Sequence, residues 1–336
     1  MLMYTVRRVL ATIPVLIAAT LFTFFLVELS GDPLSPLLTA TPPVPEETIE
    51  AMRQRLYLDR PFYERYWLWL TGIGDTRGDI GLLQGKWGPS VSGTDIGAEM
   101  GQRFWITLRL VGLATIASIV LAVVTGVISA VRQYSKTDHA LTFIGFLALA
   151  MPTFWLAVVI KDGAVWLNRN VFEATVFYTR NATSPGYAQM DFWERMGDAA
   201  GHAILPTLTL MLTGYALISR FQRASMLEVL NSDYVRLARA KGLRNGTVMR
   251  RHALRTALIP VVTLTALTVS GALTGSVVVE FIFGWRGLGT FFLSAINDID
   301  AFAMMAFIVF SGALVIVANL LADLTYGVLD PRIRYE

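Results

Sequence analysis

Six runs of mainly apolar residues, each with few interior charges, punctuate this chain: Val9–Leu29, Leu110–Val131, Ala140 to about Leu167, Ala203–Ile218, Ala257–Ile282 and Ala301–Leu324. A helix needs roughly 20 such residues to cross the hydrocarbon core of a bilayer, so the pattern predicts an all-α membrane protein with six transmembrane helices. The fourth run is short, and Pro206 near its start is expected to lie in a first helical turn, where a missing amide proton costs little. The first run is followed by no small-x-small cleavage site and is read as a retained helix.

The polar connections give an orientation, because Lys and Arg are retained on the cytoplasmic side. Between Ser219 and Thr256 stand nine basic residues (220, 223, 236, 239, 241, 244, 250, 251 and 255) against the acids Glu228 and Asp233. Arg7 and Arg8, Arg132 and Lys136, and Arg332 and Arg334 fall on the same side of the alternation, which predicts cytoplasmic termini. The 30–105 connection holds seven basic and ten acidic residues and suits the outer face. It opens with Pro33, Pro36, Pro42, Pro43 and Pro45, and continues into an amphipathic stretch, Glu46–Leu70, that points to folded structure resting on the membrane. Tyr57, Tyr63, Tyr66, Trp67 and Trp69 are read as headgroup-level anchors, with a docking surface as the other reading.

Composition agrees: 54% of residues are hydrophobic and 16% charged. The net charge of +3 concentrates on one membrane face and gives no reason to invoke nucleic acid. With no cysteine, disulfides, thiolate metal sites and cysteine nucleophiles are excluded. His139, His202 and His252 lack metal-ligand spacing, and neither a Gly-x-x-x-x-Gly-Lys-Ser/Thr loop nor a Gly-x-Ser-x-Gly elbow occurs. No catalytic, cofactor or metal site is expected in this chain.

One hydrophilic segment has its own pattern. In Ser232–Pro260, SDYVRLARAKGLRNGTVMRRHALRTALIP, Tyr234, Leu237 and Ala238 recur at helical spacing. Asp233 suits the positive end of the helix dipole, and Gly242 stands where a left-handed cap would stop the helix. Ala238 and Ala240 allow close approach of another surface, ringed by Arg236, Arg239 and Lys241. On composition alone, a basic loop that merely sets topology explains the segment equally well.

The run Ala238–Leu243, Ala-Arg-Ala-Lys-Gly-Leu, followed by a basic helix and Pro260, resembles the loop by which permease subunits of bacterial ABC importers hold their ATPases. Within that superfamily the chain is similar to the first permease of the dipeptide/oligopeptide branch. The likeness extends to Arg7-Arg8, Leu58-Asp59-Arg60-Pro61, Gly78-Asp79-Ile80-Gly81 and Leu329-Asp330-Pro331-Arg332-Ile333-Arg334, nearly the whole chain. It implies a type I importer permease fold: a cytoplasmic start and first helix (1–29), a structured extracytoplasmic loop (30–105), a core (106–326) containing the coupling loop 219–256, and a cytoplasmic tail (327–336).

The resemblance further implies a multi-pass protein of the bacterial inner membrane that forms a pathway with a second, homologous permease. Two ATP-binding subunits would carry ATP and Mg, and an extracytoplasmic binding protein would deliver a peptide. Coupling would run through Asp233, Tyr234, Arg236, Leu237, Ala238, Arg239, Ala240, Lys241, Gly242 and Leu243. Glutathione, a nickel complex or a sugar is the alternative cargo, and an ATP-independent channel or an intramembrane enzyme the alternative class.

Two features depart from that branch: Lys161-Asp162 interrupts an apolar run after Pro152-Thr153-Phe154-Trp155, and the segment 168–201 is longer and more polar. Lys161 or Asp162 either contacts the charged ends of a translocating peptide or snorkels to the interface. Glu280, after the Gly271 and Gly275 spacing that favours close helix packing, is a further pathway candidate, and Asp323 is placed at the cytoplasmic interface.

Overall fold

The computed structural model of the chain describes residues 2–329. In chain order the helices are α1 (Leu2–Ser30), α2 (Ser35–Leu38), α3 (Glu46–Arg55), α4 (Phe62–Thr71), α5 (Ile96–Val131), α6 (Lys136–Ala150) and α7 (Thr153–Asn170). They continue with α8 (Phe192–Leu230), α9 (Asp233–Ala240), α10 (Asn245–Thr247), a π-helical stretch Val248–Leu254, α11 (Arg255–Ala257), α12 (Ile259–Phe283), α13 (Leu288–Asn297) and α14 (Ala301–Leu329). A two-residue antiparallel pair, β1 (Ile80–Gly81) with β2 (Lys86–Trp87), interrupts an otherwise helical chain. The side chains of Arg7, Arg8 and Asp323, and residues 330–336 of the closing motif and tail, lie outside the described residues.

Among the described residues four helices, α1, α5, α8 and α14, are long and apolar enough to cross a membrane, and the number rises to six if each of two bent pairs forms one span. The third expected span is one of these pairs. Instead of a continuous helix over 140–167, α6 and α7 meet at 110°. Met151 takes an extended conformation (φ −88, ψ 124) ahead of Pro152, whose ring disfavours a helical predecessor. The other pair is the second half of α12 with α13.

The fourth expected span is also revised. α8 starts at Phe192, capped by Asp191, whose carboxylate accepts from the Glu194 N–H (2.8 Å) while Glu194 reaches back to the Asp191 N–H (3.1 Å). Pro206 therefore lies inside a 39-residue helix, not in its first turn.

The chain divides into two compact units. One comprises the residues up to Ile106 with Gly287–Ile316, and the other Thr107–Arg286 with the residues from Val317 onward. The long α1–α5 connection thus shares its unit with α13 and the first half of α14.

The core of that first unit gathers Phe24 of α1, Tyr57, Tyr66 and Trp69, Ile96 and Met100 of α5, and Leu288, Phe302 and Met305. Three of the five expected interfacial aromatics are therefore internal: Tyr57, Tyr66 and Trp69 are buried, and only Tyr63 and Trp67 stand exposed. Helical phase explains the split in α4, since residues three apart (66 and 69) share the inner face and residues four apart (63 and 67) the outer one. The Tyr66 hydroxyl donates to the Ile17 carbonyl (3.0 Å), and Arg65 pairs with Glu28 at 2.8 Å. Tyr57 donates to Asp79 (2.7 Å) and Asp75 (3.0 Å) beneath the Arg77 guanidinium, 4.0 Å from its ring centre. Burial and these two carboxylates hold the Tyr57 hydroxyl far above the usual phenol range.

In the second unit α5 and α8 pack closely because small residues face each other. A Cβ on Gly126 would lie 2.8 Å from the Gln222 side chain and 3.1 Å from the Ser219 carbonyl oxygen. Ser118 donates to the Met211 carbonyl at 2.9 Å. Such contacts serve membrane helices well, because close approach and interhelical hydrogen bonds replace the hydrophobic drive that lipid removes. α6 is tied to α8 by a bidentate pair: Arg223 donates to both Asp138 oxygens at 2.8 Å, and Ser129 of α5 also donates to Asp138.

The polar segment 168–201 is folded rather than loose. Asn168 accepts from the Val176 and Phe177 N–H groups, and the Asn181 N–H donates to the Phe283 carbonyl at 2.8 Å. His202 is buried, stacked on Tyr178 at 4.2 Å, and hydrogen-bonded to the Asn181 carbonyl and the Ser184 hydroxyl. Asp198 accepts from the Ser184 N–H.

Candidate coupling surface

The basic segment after α8 folds as a compact handle. Between α8 and α9 the Ser232 hydroxyl donates to the Val229 carbonyl at 2.6 Å and does not cap the helix. Asp233 occupies the first turn of α9, where the exposed N–H groups favour an anion. It pairs with Arg236, but both side chains are largely in solvent, so the pair adds little stability.

The end of α9 follows from one glycine. Gly242 has φ +74, and no atom lies within 4 Å of where a Cβ would stand, so glycine is required there for its backbone conformation and not for space. Its N–H donates to the Arg239 carbonyl (2.9 Å), and the Leu243 N–H reaches back to the Ala238 carbonyl (3.4 Å). These two bonds are the Schellman pattern, which satisfies the last carbonyls and turns the chain sharply away.

Phase divides α9 into two faces. Val235 (0% exposed) and Ala238 (5%) are buried against Met226 and Val229 of α8, and against Val248, Ala253 and Ala257. Burying a valine side chain stabilises by about 1.5–3 kcal/mol, enough to anchor a two-turn helix that would not persist alone. Tyr234, Leu237 and Leu243 are exposed apolar residues on the other side, and Asp233, Arg236, Arg239, Ala240, Lys241 and Gly242 are exposed around them.

The structure thus corrects one assignment. Ala238, expected on the contacting side, is a core residue of the handle, and Tyr234, Leu237, Ala240 and Leu243 are exposed. Both apolar pairs, 234/237 and 235/238, have the same spacing, and Val235 with the small Ala238 fits the crowded side. The π-helical stretch, missed in the sequence, carries exposed Arg250 and Arg251 while Val248 and Ala253 face inward. π-turns occur disproportionately at functional sites.

The three pathway candidates are not brought together. Lys161 on α7 donates to the Ile282 carbonyl near the end of α12 and lies 6.0 Å from the Phe283 ring centre. Asp162, the next residue, is exposed. Glu280 is fully buried and accepts from the Thr107 hydroxyl at 2.6 Å, so it faces protein and not an open cavity. Among the described residues, a Cβ on Gly271 would meet nothing within 4 Å.

Bent and straight apolar helices around buried polar ties, with a short basic helix held off the end of one of them, define a helical membrane protein with a handle. Residues 122–335 match the family described as binding-protein-dependent transport system inner membrane component, and residues 1–86 match its N-terminal membrane-component family. The chain is 40% identical over 331 residues to the oligopeptide transport system permease protein OppB of Mycobacterium tuberculosis, with 98% of each chain covered. It is 35% identical over 335 residues to the oligopeptide permease AppB of Bacillus subtilis (99% of each), and 33% identical over 347 residues to the dipeptide permease DppB of Escherichia coli (100% of each). A solved structure of the MetNI methionine ABC transporter in an inward-facing conformation shares the fold at a TM-score of 0.53 and 16% identity, covering 69% of this chain and 96% of that one. The chain belongs to the inner-membrane permease family of binding-protein-dependent transporters and has the type I ABC importer permease fold. It is a multi-pass membrane protein whose family works with ATPase and substrate-binding partners.

Proposed function

We propose that this chain is the peptide-translocating permease subunit of an ATP-driven importer. The observation that carries the coupling role is α9, which presents an exposed apolar patch (Tyr234, Leu237, Leu243) ringed by cations on a helix bolted to α8 through Val235 and Ala238. In this reading a separate ATPase grips the patch. Closure of the ATPase pair on ATP and Mg moves α9, and the rigid joint passes the motion into α8 and, through the Arg223–Asp138 tie, into α6. A pathway shared with a second, homologous permease then opens alternately to each face. Two ATPases, cytoplasmic termini and an external binding protein complete the assembly, and this chain itself carries no catalytic or cofactor role.

Peptide is the cargo because the full-length relatives are named as oligopeptide and dipeptide permeases. Within the pathway, Lys161, Asp162 and Glu280 have different prospects. Asp162 is the exposed candidate for a peptide's ammonium end, whereas Lys161 and Glu280 have structural partners. The test is isolation from native membranes in mild detergent, with mass spectrometry of the copurifying chains. A second permease, ATPases and a peptide-binding protein are expected, and recovery of this chain alone under conditions that preserve other membrane complexes would refute the reading.

A further inference from the structure

A cavity of about 270 Å³ opens between α5, α6 and α8, separate from the α9 surface. Its lining is chemically mixed. Tyr215 (2% exposed) and Ser219 (8%) of α8 border it, and among the described residues neither hydroxyl has a hydrogen-bond partner. Neither oxygen is sealed from solvent: both open onto the cavity, where their O–H groups are available to donate to a bound acceptor.

Charge specifies that ligand further. Of the two arginines at the cavity, Arg223 is neutralised by the bidentate contact with Asp138. Arg220 has no carboxylate partner among the described residues and instead lies over the Phe146 ring, 4.5 Å from its centre. The site therefore has one uncompensated cation next to two free hydroxyl donors, a set that suits a phosphate oxyanion. Arg132 and Lys136, both exposed, flank the adjoining α5–α6 turn and add positive charge.

The cavity wall explains why the phosphate would belong to a lipid. α6 exposes Phe143, Ile144, Phe146 and Leu147 to the exterior, an apolar surface continuous with the Phe146 edge of the cavity. The α8 side of the cavity, Tyr215 to Arg223, straddles the end of the apolar stretch 203–218 on the side of the basic handle, where a spanning helix would leave the hydrocarbon for the headgroup layer. Basic pockets between helices at this depth suit anionic headgroups. We propose that the cavity binds the phosphate of an anionic phospholipid, held by Arg220, Tyr215 and Ser219, with an acyl chain along the α6 aromatic face. This site requires membrane embedding but not a peptide cargo, so it stands or falls apart from the transport reading.

The test is native mass spectrometry of the full-length chain, with its copurifying subunits, from nanodiscs of mixed phosphatidylglycerol and phosphatidylcholine. The wild type is expected to retain phosphatidylglycerol selectively. Arg220→Gln should lower retention about tenfold, the loss of one charge-assisted hydrogen bond, and Ser219→Ala, a smaller change that preserves packing, severalfold. Excess inorganic phosphate should leave the lipid bound, because acyl burial adds to its affinity. The proposal is overturned if phosphatidylcholine is retained equally or if Ser219→Ala and a monodisperse Arg220→Gln bind as the wild type does. Displacement by free phosphate would assign the cavity to a soluble anion, and displacement by a short peptide would assign it to the translocation pathway; either result refutes a lipid site.

Discussion

Leu243 returns its main-chain N–H to the carbonyl of Ala238, 3.4 Å away, across a left-handed Gly242. This one contact sets where α9 ends, and with it the angle at which Leu243 and the basic residues beyond it are presented.

Gly242→Val should strain that turn by roughly 1–2 kcal/mol, the cost of a left-handed conformation for a residue with a Cβ, and more for a branched one. The expected outcome is a severalfold loss of ATPase retention on the purified complex with normal membrane insertion. Gly242→Asn, which tolerates the conformation, should retain most of it. Equal retention in the valine variant would show that the cap does not govern docking.

Ala238 and Ala240 are expected to behave oppositely when changed to Glu. At 238 the carboxylate enters the packed side of α9 and should destabilise the handle by several kcal/mol, read as a lower melting temperature of the purified chain. At 240, on the exposed side, melting should be unchanged while ATPase binding falls. Identical profiles for the two variants would contradict the division of faces.

That division shows what was legible in the sequence and what was not. The existence of α9, its start at Asp233 and its stop at Gly242 were readable, because dipole and cap chemistry are local. Which of two equally spaced apolar pairs turns inward was not, since it depends on α8 and on the π-helical stretch that meets it. The bend at Met151–Pro152 and the early start of α8 had local signals, the residue before proline and the Asp191-x-x-Glu194 capping box, that hydropathy windows overrode. The burial of Tyr57, Tyr66 and Trp69 had no such signal, because α13 and α14, which supply much of their unit's core, lie over 200 residues away in sequence.

Lys161→Met should loosen the joint between α7 and α12 by about 1–2 kcal/mol, through loss of its hydrogen bond to the Ile282 carbonyl. Asp162→Asn should leave melting unchanged. If transport of a charged peptide falls in the second variant alone, the exposed carboxylate is the one that meets cargo; a melting loss in the second and none in the first would reverse the assignment.

Acid should open the Tyr57 cluster before the rest of its unit. Burial acts to raise the Asp75 pKa, but hydrogen bonds from the Arg77 N–H, the Tyr57 hydroxyl and the Ile80 and Gly78 backbone outweigh it and hold the carboxyl below its ordinary value. A depressed folded-state pKa contributes stability that is fully present above the unfolded value, about 3.9, and is lost as pH falls through the folded one. Hydrogen exchange at residues 75–80 is expected to accelerate below about pH 4 in the wild type. Asp75→Asn should remove that acid dependence, and an unaltered profile in the variant would assign it elsewhere.

The central claim, that the exposed side of α9 is gripped by an ATPase, has a direct test because the chain contains no cysteine. Tyr234→Cys, Leu237→Cys and Ala238→Cys would be introduced singly, and each purified complex treated with a short bifunctional thiol-to-amine crosslinker in the presence and absence of ATP. The account predicts crosslinks to an ATPase from 234 and 237, with yields that change on ATP binding, and none from buried 238. Crosslinking from 238 as strong as from 237, or from none of the three in an intact complex, would contradict it.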